Sequence, residues 1–163
     1  MAGASDDGKI LNLLRAVIDD MEKRTRLVAD QVENEQLSQF FADCAEARTK
    51  IAAQVDEVIA ELDAGDVSIE HRPCCPLSDF EDCGESNASG DYGGLLEQLA
   101  VCEDKNVEMI QQELDRDDLS ATVRLAIDEA VLIAQKTGKQ YRRIAQQAGP
   151  ISIEDEAPVA GNL

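Results

Sequence analysis

The chain contains four stretches in which apolar residues recur at steps of three and four, the spacing that places them on one face of an α-helix. The first two stretches are separated only by a short polar link around Asn34, a residue suited to cap the second helix. A short acidic turn separates the last two. Each pair predicts an antiparallel helical hairpin, because so short a link returns the chain beside the preceding helix. The four predicted helices cover about residues 10–32, 37–62, 95–114 and 120–149.

A long connector, residues 65–94, lies between the two hairpins. A helix of about 25 residues is roughly 37 Å long, and an extended connector of this length spans that distance. Two short turns on either side of one long crossover are typical of ferritin-like bundles, in which the crossover joins two parallel helices. We therefore predict an all-α fold, a ferritin-like four-helix bundle over 10–149, with a flexible N-terminus at 1–9 and a C-terminal tail at 150–163.

The pattern also predicts helix ends and an interior. Asp6 or Asp7 is suited to cap the first helix and Gly65 to end the second, while Gly138 is a weak point inside the fourth. With two Tyr, three Phe and no Trp, the core must be mainly aliphatic. The positions predicted to be buried are Leu14, Met21, Phe41, Cys44, Ile51, Leu99, Cys102, Met109, Ile127 and Val131.

The composition is strongly acidic, with 34 acidic and 15 basic residues and a formal net charge of -19. Such a charge repels phosphate backbones and anionic lipid surfaces, so we expect no nucleic-acid or membrane partner and favour cations or basic proteins. The acidic excess is typical of a solvated surface, and it also fits a salt-rich cytoplasm. No apolar run is long enough to span a bilayer, and residues 1–9 lack the features of a signal peptide. We therefore expect a cytoplasmic protein.

Several residues on the predicted helices resemble a known family. They are Leu11-Asn12-Leu13-Leu14, Asp20 with Glu22, Asn34 followed by Leu37 and Phe40-Phe41, Glu103-Asp104, and Asp118-Leu119 with Val123-Arg124. Together they are similar to the bacterial ferritin-like four-helix-bundle proteins of unknown function, which are often described as stress-associated. The resemblance implies that any metal site, for iron or manganese, is made of inward carboxylates at mid-bundle. It also implies that Glu22 and Glu103 stand where such carboxylates are expected.

The chain departs from the ligand pattern of a ferritin-type dimetal site. Such a site takes one Glu from each of two helices and a Glu-x-x-His from each of the other two. The single histidine, His71, lies in the connector, and Gly138 or a neighbour stands where the resemblance would place a helix histidine. Arg48 on the inward stripe is better placed to neutralise Glu22 or Glu103 than to tolerate a dication. The plainer interpretation of both carboxylates is that they are solvated or paired with arginine.

The connector holds the other candidate metal ligands. They are His71, Cys74, Cys75 and Cys83. A zinc site is one interpretation, a disulfide from Cys74 or Cys75 to Cys83 is a second, and three free thiols on a mobile loop are the third, which we favour. Acidic neighbours are expected to raise the thiol pKa values and slow the reactions of these thiols. Cys44 and Cys102 lie on apolar stripes, where a thiol packs as a small hydrophobe.

No complete catalytic motif is present in the sequence, which has no phosphate-binding glycine loop, dinucleotide fingerprint or credible nucleophile–base pair. Three hypotheses follow. The first is a non-enzymatic bundle with a stress-associated or structural role, acting as a homo-oligomer or through a protein partner. The second is a carboxylate-only metal binder or weak oxidase that uses iron or manganese. The third is a thiol-redox or zinc site in the connector. We favour the first.

Overall fold

The computed structural model describes residues 3–62, 73, 75–114 and 119–147 of the chain. Within these residues the secondary structure is helical without any β-strand, which confirms the predicted all-α fold. The elements are α1 (Gly3–Gln31), α2 (Glu35–Glu61), a 3₁₀ turn (Leu77–Phe80), α3 (Gly84–Ser89), α4 (Gly93–Leu114) and α5 (Ala121–Ala145). None of the described helices has both the length and the apolar character needed to cross a membrane. The predicted cap Gly65, connector residues His71 and Cys74, and the tail lie outside the described residues.

Polar side chains start α2 and α5, the returning helix of each hairpin. The Asn34 side-chain oxygen accepts a hydrogen bond from the Leu37 amide at 2.9 Å, which confirms the predicted cap. The Ser120 hydroxyl accepts one from the Val123 amide at 3.4 Å. Each side chain satisfies an amide that the first turn of a helix leaves unpaired, so both helices begin where the sequence predicts.

The start of α1 differs from the prediction. The helix begins at Gly3 rather than near Ile10, so Asp7 lies within it and does not cap it. Asp7 is buried, and its carboxylate accepts a hydrogen bond from the Ser120 amide at 3.3 Å. This contact ties the first turns of α1 to the start of α5, a tertiary interaction that the local sequence does not reveal.

The helices enclose two apolar clusters, one at each end of the bundle. The helical end is built by the helices and Leu119, two residues before α5; its buried members include Leu14, Ile18, Ile51, Val55, Ile110 and Ile127. The connector end includes side chains of the connector; its buried members include Val28, Phe41, Cys75, Phe80, Leu96 and Tyr141. Since α2 finishes at the helical end and α4 starts at the connector end, α2 and α4 run parallel, and the end of α2 and the start of α4 lie at opposite ends of the bundle.

The predicted core is confirmed with one exception. Met109 is only partly buried and packs against the helical end. The other predicted positions are all buried: Leu14, Met21, Phe41, Cys44, Ile51, Leu99, Cys102, Ile127 and Val131. The predicted weak point at Gly138 does not interrupt α5. Gly138 is buried against α4, where an added Cβ would lie 3.7 Å from Glu103 Cβ, so tertiary packing supports the helix there.

The described part of the connector, residues 75–94, packs against the bundle, where the sequence predicted a mobile loop. The buried side chains in this part are Cys75, Phe80, Cys83 and Tyr92. Gln31 Nε2 donates a hydrogen bond to the Phe80 carbonyl at 2.9 Å, and Asn87 Oδ1 accepts one from the Glu33 amide at 2.9 Å. These bonds hold the second part of the connector beside the turn between α1 and α2.

Candidate functional site

A layer of buried polar side chains separates the two apolar clusters. This polar layer consists of Arg24 and Thr25 on α1, Arg48 on α2, Glu103 and Asn106 on α4, and Thr137 and Gln140 on α5. Its members alternate with buried apolar residues at helical spacing; Arg48, for example, lies between Cys44 and Ile51. The helical repeat therefore points these side chains inward whatever their polarity. The layer lies at mid-bundle, where the family resemblance would place metal ligands.

Arg48 and Glu103 form a buried ion pair within the polar layer. Arg48 Nη2 lies 2.9 Å from Glu103 Oε1, and each side chain is only 4% exposed. Arg48 Nη1 also contacts Met21 Sδ at 2.9 Å. The expectation that Arg48 neutralises one of the two candidate carboxylates is confirmed for Glu103. Because a guanidinium does not lose its proton in proteins, the carboxylate has a permanent positive charge beside it.

Burial raises the pKa of the Glu103 carboxyl above its ordinary value, because desolvation disfavours the charged form. The positive charges of Arg48 and Arg24 oppose this rise, as does the hydrogen bond from Arg48. The second carboxylate oxygen, Oε2, is buried without a hydrogen-bond partner among the described groups. Removal of Arg48 would therefore leave a buried charge without compensation, which is far more costly than removal of the whole pair.

Arg24 adds a second buried guanidinium to the layer. Its Nη2 donates a hydrogen bond to the Cys75 carbonyl at 3.2 Å, and its guanidinium carbon lies 5.7 Å from the centre of the Phe80 ring. Both contacts come from the connector. The polar layer thus holds two guanidinium groups and one carboxylate, so a dication entering it would meet excess positive charge.

Cys44 and Tyr141 belong to the connector end and interact electrostatically with the Arg48–Glu103 pair. Burial raises the pKa of Cys44 to about 12, although the Arg48 charge opposes the rise. Burial likewise raises the pKa of Tyr141 well above its ordinary value. Both groups are therefore protonated at neutral pH. A protonated, buried thiol is a poor nucleophile, so the predicted role of Cys44 as a core residue is confirmed.

Glu22, the other predicted metal ligand, lies on the outer face of the α1–α2 hairpin. Its Oε1 atom accepts hydrogen bonds from Arg26 Nη2 and Thr49 Oγ1, each at 3.0 Å. Glu22 and Glu103 therefore have separate partners, and pairing with arginine, the plainer interpretation, is confirmed for both. In the part of the chain that the structure describes, no group of three or more His, Cys, Asp or Glu side chains is arranged to hold a metal.

Cys75 forms a disulfide with Cys102, across a sequence separation of 27 residues. The favoured interpretation of three free connector thiols is wrong for Cys75, and the alternative pairing of Cys74 or Cys75 with Cys83 is wrong because Cys83 is a buried free thiol. The prediction that Cys102 packs as a thiol is also wrong, although its burial is confirmed. The physical reason is that the crossover returns the chain to the connector end, where Cys102 faces it from α4, and no local pattern shows this return.

The disulfide removes Cys75 both from the predicted zinc ligands and from the predicted free thiols. A sulfur bonded to another sulfur offers no thiolate to a metal, so Cys75 is neither a ligand nor a free thiol in this state. Burial, and then the charge of Asp82, raises the pKa of Cys83, as the acidic sequence around it predicts. In the chain-entropy account, closing a loop of this length stabilises the fold by about 3 to 4 kcal/mol.

Sequence reasoning identified Arg48 and Glu103 but missed Arg24. A signal was present, because Arg24 lies three residues after Met21 and four before Val28, both on the predicted apolar stripe. A charged residue at such a position predicts a buried partner, since a lone buried charge is strongly unfavourable. The identity of that partner, the carbonyl of Cys75, depends on the crossover and has no sequence signal.

Comparisons of the chain with protein-family models, with curated proteins and with solved structures give no significant match. The family resemblance drawn from the sequence therefore stays a prediction.

Proposed function

We propose that this protein is a non-enzymatic, ferritin-like helical bundle that acts through contacts with other protein chains. The observation that carries the proposal is the buried Arg48–Glu103 ion pair. In a ferritin-type site, inward carboxylates bind two metal ions at mid-bundle. Here the Arg48 guanidinium lies beside Glu103, where a ferritin-type site would hold a metal ion. It neutralises the Glu103 carboxylate through a charge-assisted hydrogen bond. The charge of Glu103 is thus compensated by the protein itself, which supports a structural role for the ion pair.

The other titratable groups near the pair support the same role. Cys44 and Tyr141 have raised pKa values caused by burial, so neither supplies a nucleophile or a base at neutral pH. Arg24 is held by the connector and adds a second fixed positive charge. Hydrolytic or redox chemistry at mid-bundle would need an activated group, and these side chains are protonated or already paired.

The course of the chain supports the ferritin-like part of the proposal. α2 and α4 run parallel, and one long connection joins them across the bundle, whereas the two hairpin turns are short. This is the connectivity of ferritin-like bundles and not of simple up-and-down bundles. The proposal also includes a stress-associated role, which the sequence resemblance implies. It includes a cytoplasmic location, which the composition favours.

The outer face of α5 supports the proposed contacts with other chains. Leu125 and Leu132 lie seven residues apart on that helix and are 62% and 45% exposed. Residues seven apart occupy the same side of a helix, so the two leucines project from one face of α5, with Asp128 and Glu129 between them. Exposed leucines on one face favour association, and we include a homo-oligomer in the proposal.

Elemental analysis tests the proposal on protein purified without added metal and then exposed to Fe²⁺ or Mn²⁺. We expect well under one metal ion per chain after dialysis, and a mass larger than a monomer by light scattering. Glu103→Gln removes the buried candidate ligand, and Glu22→Gln is the matched control at the other predicted position. One or more metal ions per chain, lost in Glu103→Gln, would establish the carboxylate metal binder in place of this proposal. A monomeric mass would remove the homo-oligomer from it.

A further inference from the structure

The Cys75–Cys102 disulfide fastens the connector to α4 beside the polar layer. Cys75 precedes the 3₁₀ turn, and Cys102 lies within α4 directly before Glu103. Both cysteines are buried in the connector end, together with Phe80 and Tyr92. The disulfide thus holds a segment whose sequence has no helical stripe to bind it to the bundle.

That segment supplies a hydrogen bond and an aromatic contact to the buried guanidinium of Arg24. Its hydrogen bond to the Cys75 carbonyl and its contact with the Phe80 ring both come from the connector, and its Nε atom has no hydrogen-bond partner among the described groups. If the connector moved away, Arg24 would remain buried without either contact. A buried guanidinium in that state is strongly unfavourable, so loss of the connector favours entry of water into the polar layer.

The same disulfide is connected to two parts of the layer. Cys75 supplies the carbonyl that binds Arg24, and Cys102 directly precedes Glu103, the partner of Arg48. The state of one covalent bond is therefore coupled to the surroundings of all three charges of the polar layer.

The two described free thiols do not compete for this bond. Cys44 and Cys83 are buried, and burial raises the pKa of each thiol. Protonated thiols attack disulfides slowly, because the thiolate is the nucleophile. Among the described residues no thiol is thus activated for exchange at the Cys75–Cys102 bond, and we consider a reductant from outside the bundle. Of the two bonded residues, Cys75 is the more exposed, at 7% against 1% for Cys102.

We propose that the Cys75–Cys102 disulfide is a redox-operated clasp, at which thiol–disulfide exchange with a dithiol reductant releases the connector and opens the polar layer. A thiolate of the reductant attacks Cys75 Sγ, forming a mixed disulfide while Cys102 leaves as a thiolate and takes up a proton. The second thiol of the reductant then attacks the mixed disulfide and releases Cys75 as a thiol. Two electrons and two protons pass to the cysteines, and the reductant leaves as its disulfide. A small disulfide such as oxidised glutathione closes the clasp by the reverse exchange.

Peptide mapping tests the pairing. Trypsin leaves residues 51–105 in one piece, because Arg72 precedes Pro73, so the unreduced, alkylated protein is digested with a protease that cleaves after acidic residues. The cysteines of interest then fall in separate peptides, 71–79, 83–85 and 98–103. We expect 71–79 linked to 98–103 in the wild type and in Cys74→Ser, and unlinked in Cys75→Ser. An alkylated Cys102, or a link from 98–103 to 83–85, overturns the proposal.

Hydrogen exchange tests the opening on the unmodified protein. We expect reduction with dithiothreitol to accelerate exchange of amides in 75–92 at least tenfold, while those in 10–18 at the helical end stay unchanged. Oxidised glutathione should restore the slow rates, and Cys83→Ser should respond as the wild type does. Unchanged exchange in 75–92 would show that the connector stays in place without the bond. An equal acceleration throughout the bundle would show a cross-link that only stabilises the fold; either result refutes the clasp.

Discussion

Two carboxylate–arginine pairs of nearly equal length lie in different surroundings in this protein. On the outer face of the first hairpin, Glu22 and Arg26 are 3.0 Å apart, with side chains 23% and 50% exposed. In the polar layer, Glu103 and Arg48 are 2.9 Å apart and almost without exposure. The outer pair lies on one helix four residues apart, whereas the inner pair joins α2 to α4.

The difference shows that distance alone does not measure the energy of an ion pair. Water solvates the outer charges whether or not they meet, so their attraction is weak. The inner charges have lost that solvation, and each depends on its partner for compensation. A pair of this second kind contributes little net stability as a whole, yet it strongly disfavours any change that removes only one member.

Removal of the arginines should separate the two pairs most clearly. We expect Arg48→Met to lower the free energy of unfolding by about 3 to 5 kcal/mol, because Glu103 would remain buried without a partner. Arg26→Met, the matched control, should change it by no more than about 0.5 kcal/mol. Urea denaturation measures both, and the double variant Arg48→Met/Glu103→Leu should recover most of the loss. Equal effects of the two single variants would contradict the comparison.

The pH dependence of the free energy of unfolding should also distinguish Glu103, the inner carboxylate, from Glu22. The folded-state pKa of Glu103 is raised above its ordinary value, so between the two values the folded protein holds a proton that the unfolded chain has released. The contribution of Glu103 to the free energy of unfolding is therefore fully present below the ordinary pKa of the carboxyl. It is lost as pH rises through the folded-state pKa, and the free energy of unfolding then falls by up to about 1.4 kcal/mol per pH unit.

Urea denaturation across acidic and neutral pH checks this sign. Relative to Glu103→Gln, which keeps the shape but does not titrate, the wild type should lose stability as pH rises through that window. Glu22→Gln is the control for removing one negative charge from the protein. If the wild type instead gained stability over Glu103→Gln as pH rose, the attraction of Arg48 and Arg24 would outweigh burial.

Salt should have the smallest effect, and only on the outer pair. A double-mutant cycle on Glu22 and Arg26 is expected to give a coupling of about 0.3 to 0.5 kcal/mol at low ionic strength. In 1 M salt, where the screening length falls to about 3 Å, that coupling should nearly vanish. The cycle on Glu103 and Arg48 should change little, because ions do not reach the layer. Similar salt dependence of the two couplings would show that the inner pair is solvated.

Much of the fold and part of the site could be predicted because they depend on local spacing. The repeat of apolar residues determines which helical face is buried, and Asn34 could be recognised as a cap from its place before such a repeat. The same repeat placed Arg48 on an inward face, and a buried arginine needs a carboxylate, which is why its pairing with Glu103 could be anticipated.

The sequence by itself thus determined four helices, their pairing into hairpins and the inward direction of the polar residues, since each follows from contacts a few residues apart. Only the tertiary structure decided that Glu22 lies outside, that Asp7 binds the start of α5, and that Cys75 pairs with Cys102 rather than with Cys83. These contacts join residues far apart in the chain. They depend on where the crossover brings the connector back to the bundle, and a long connection without periodicity does not encode its path locally.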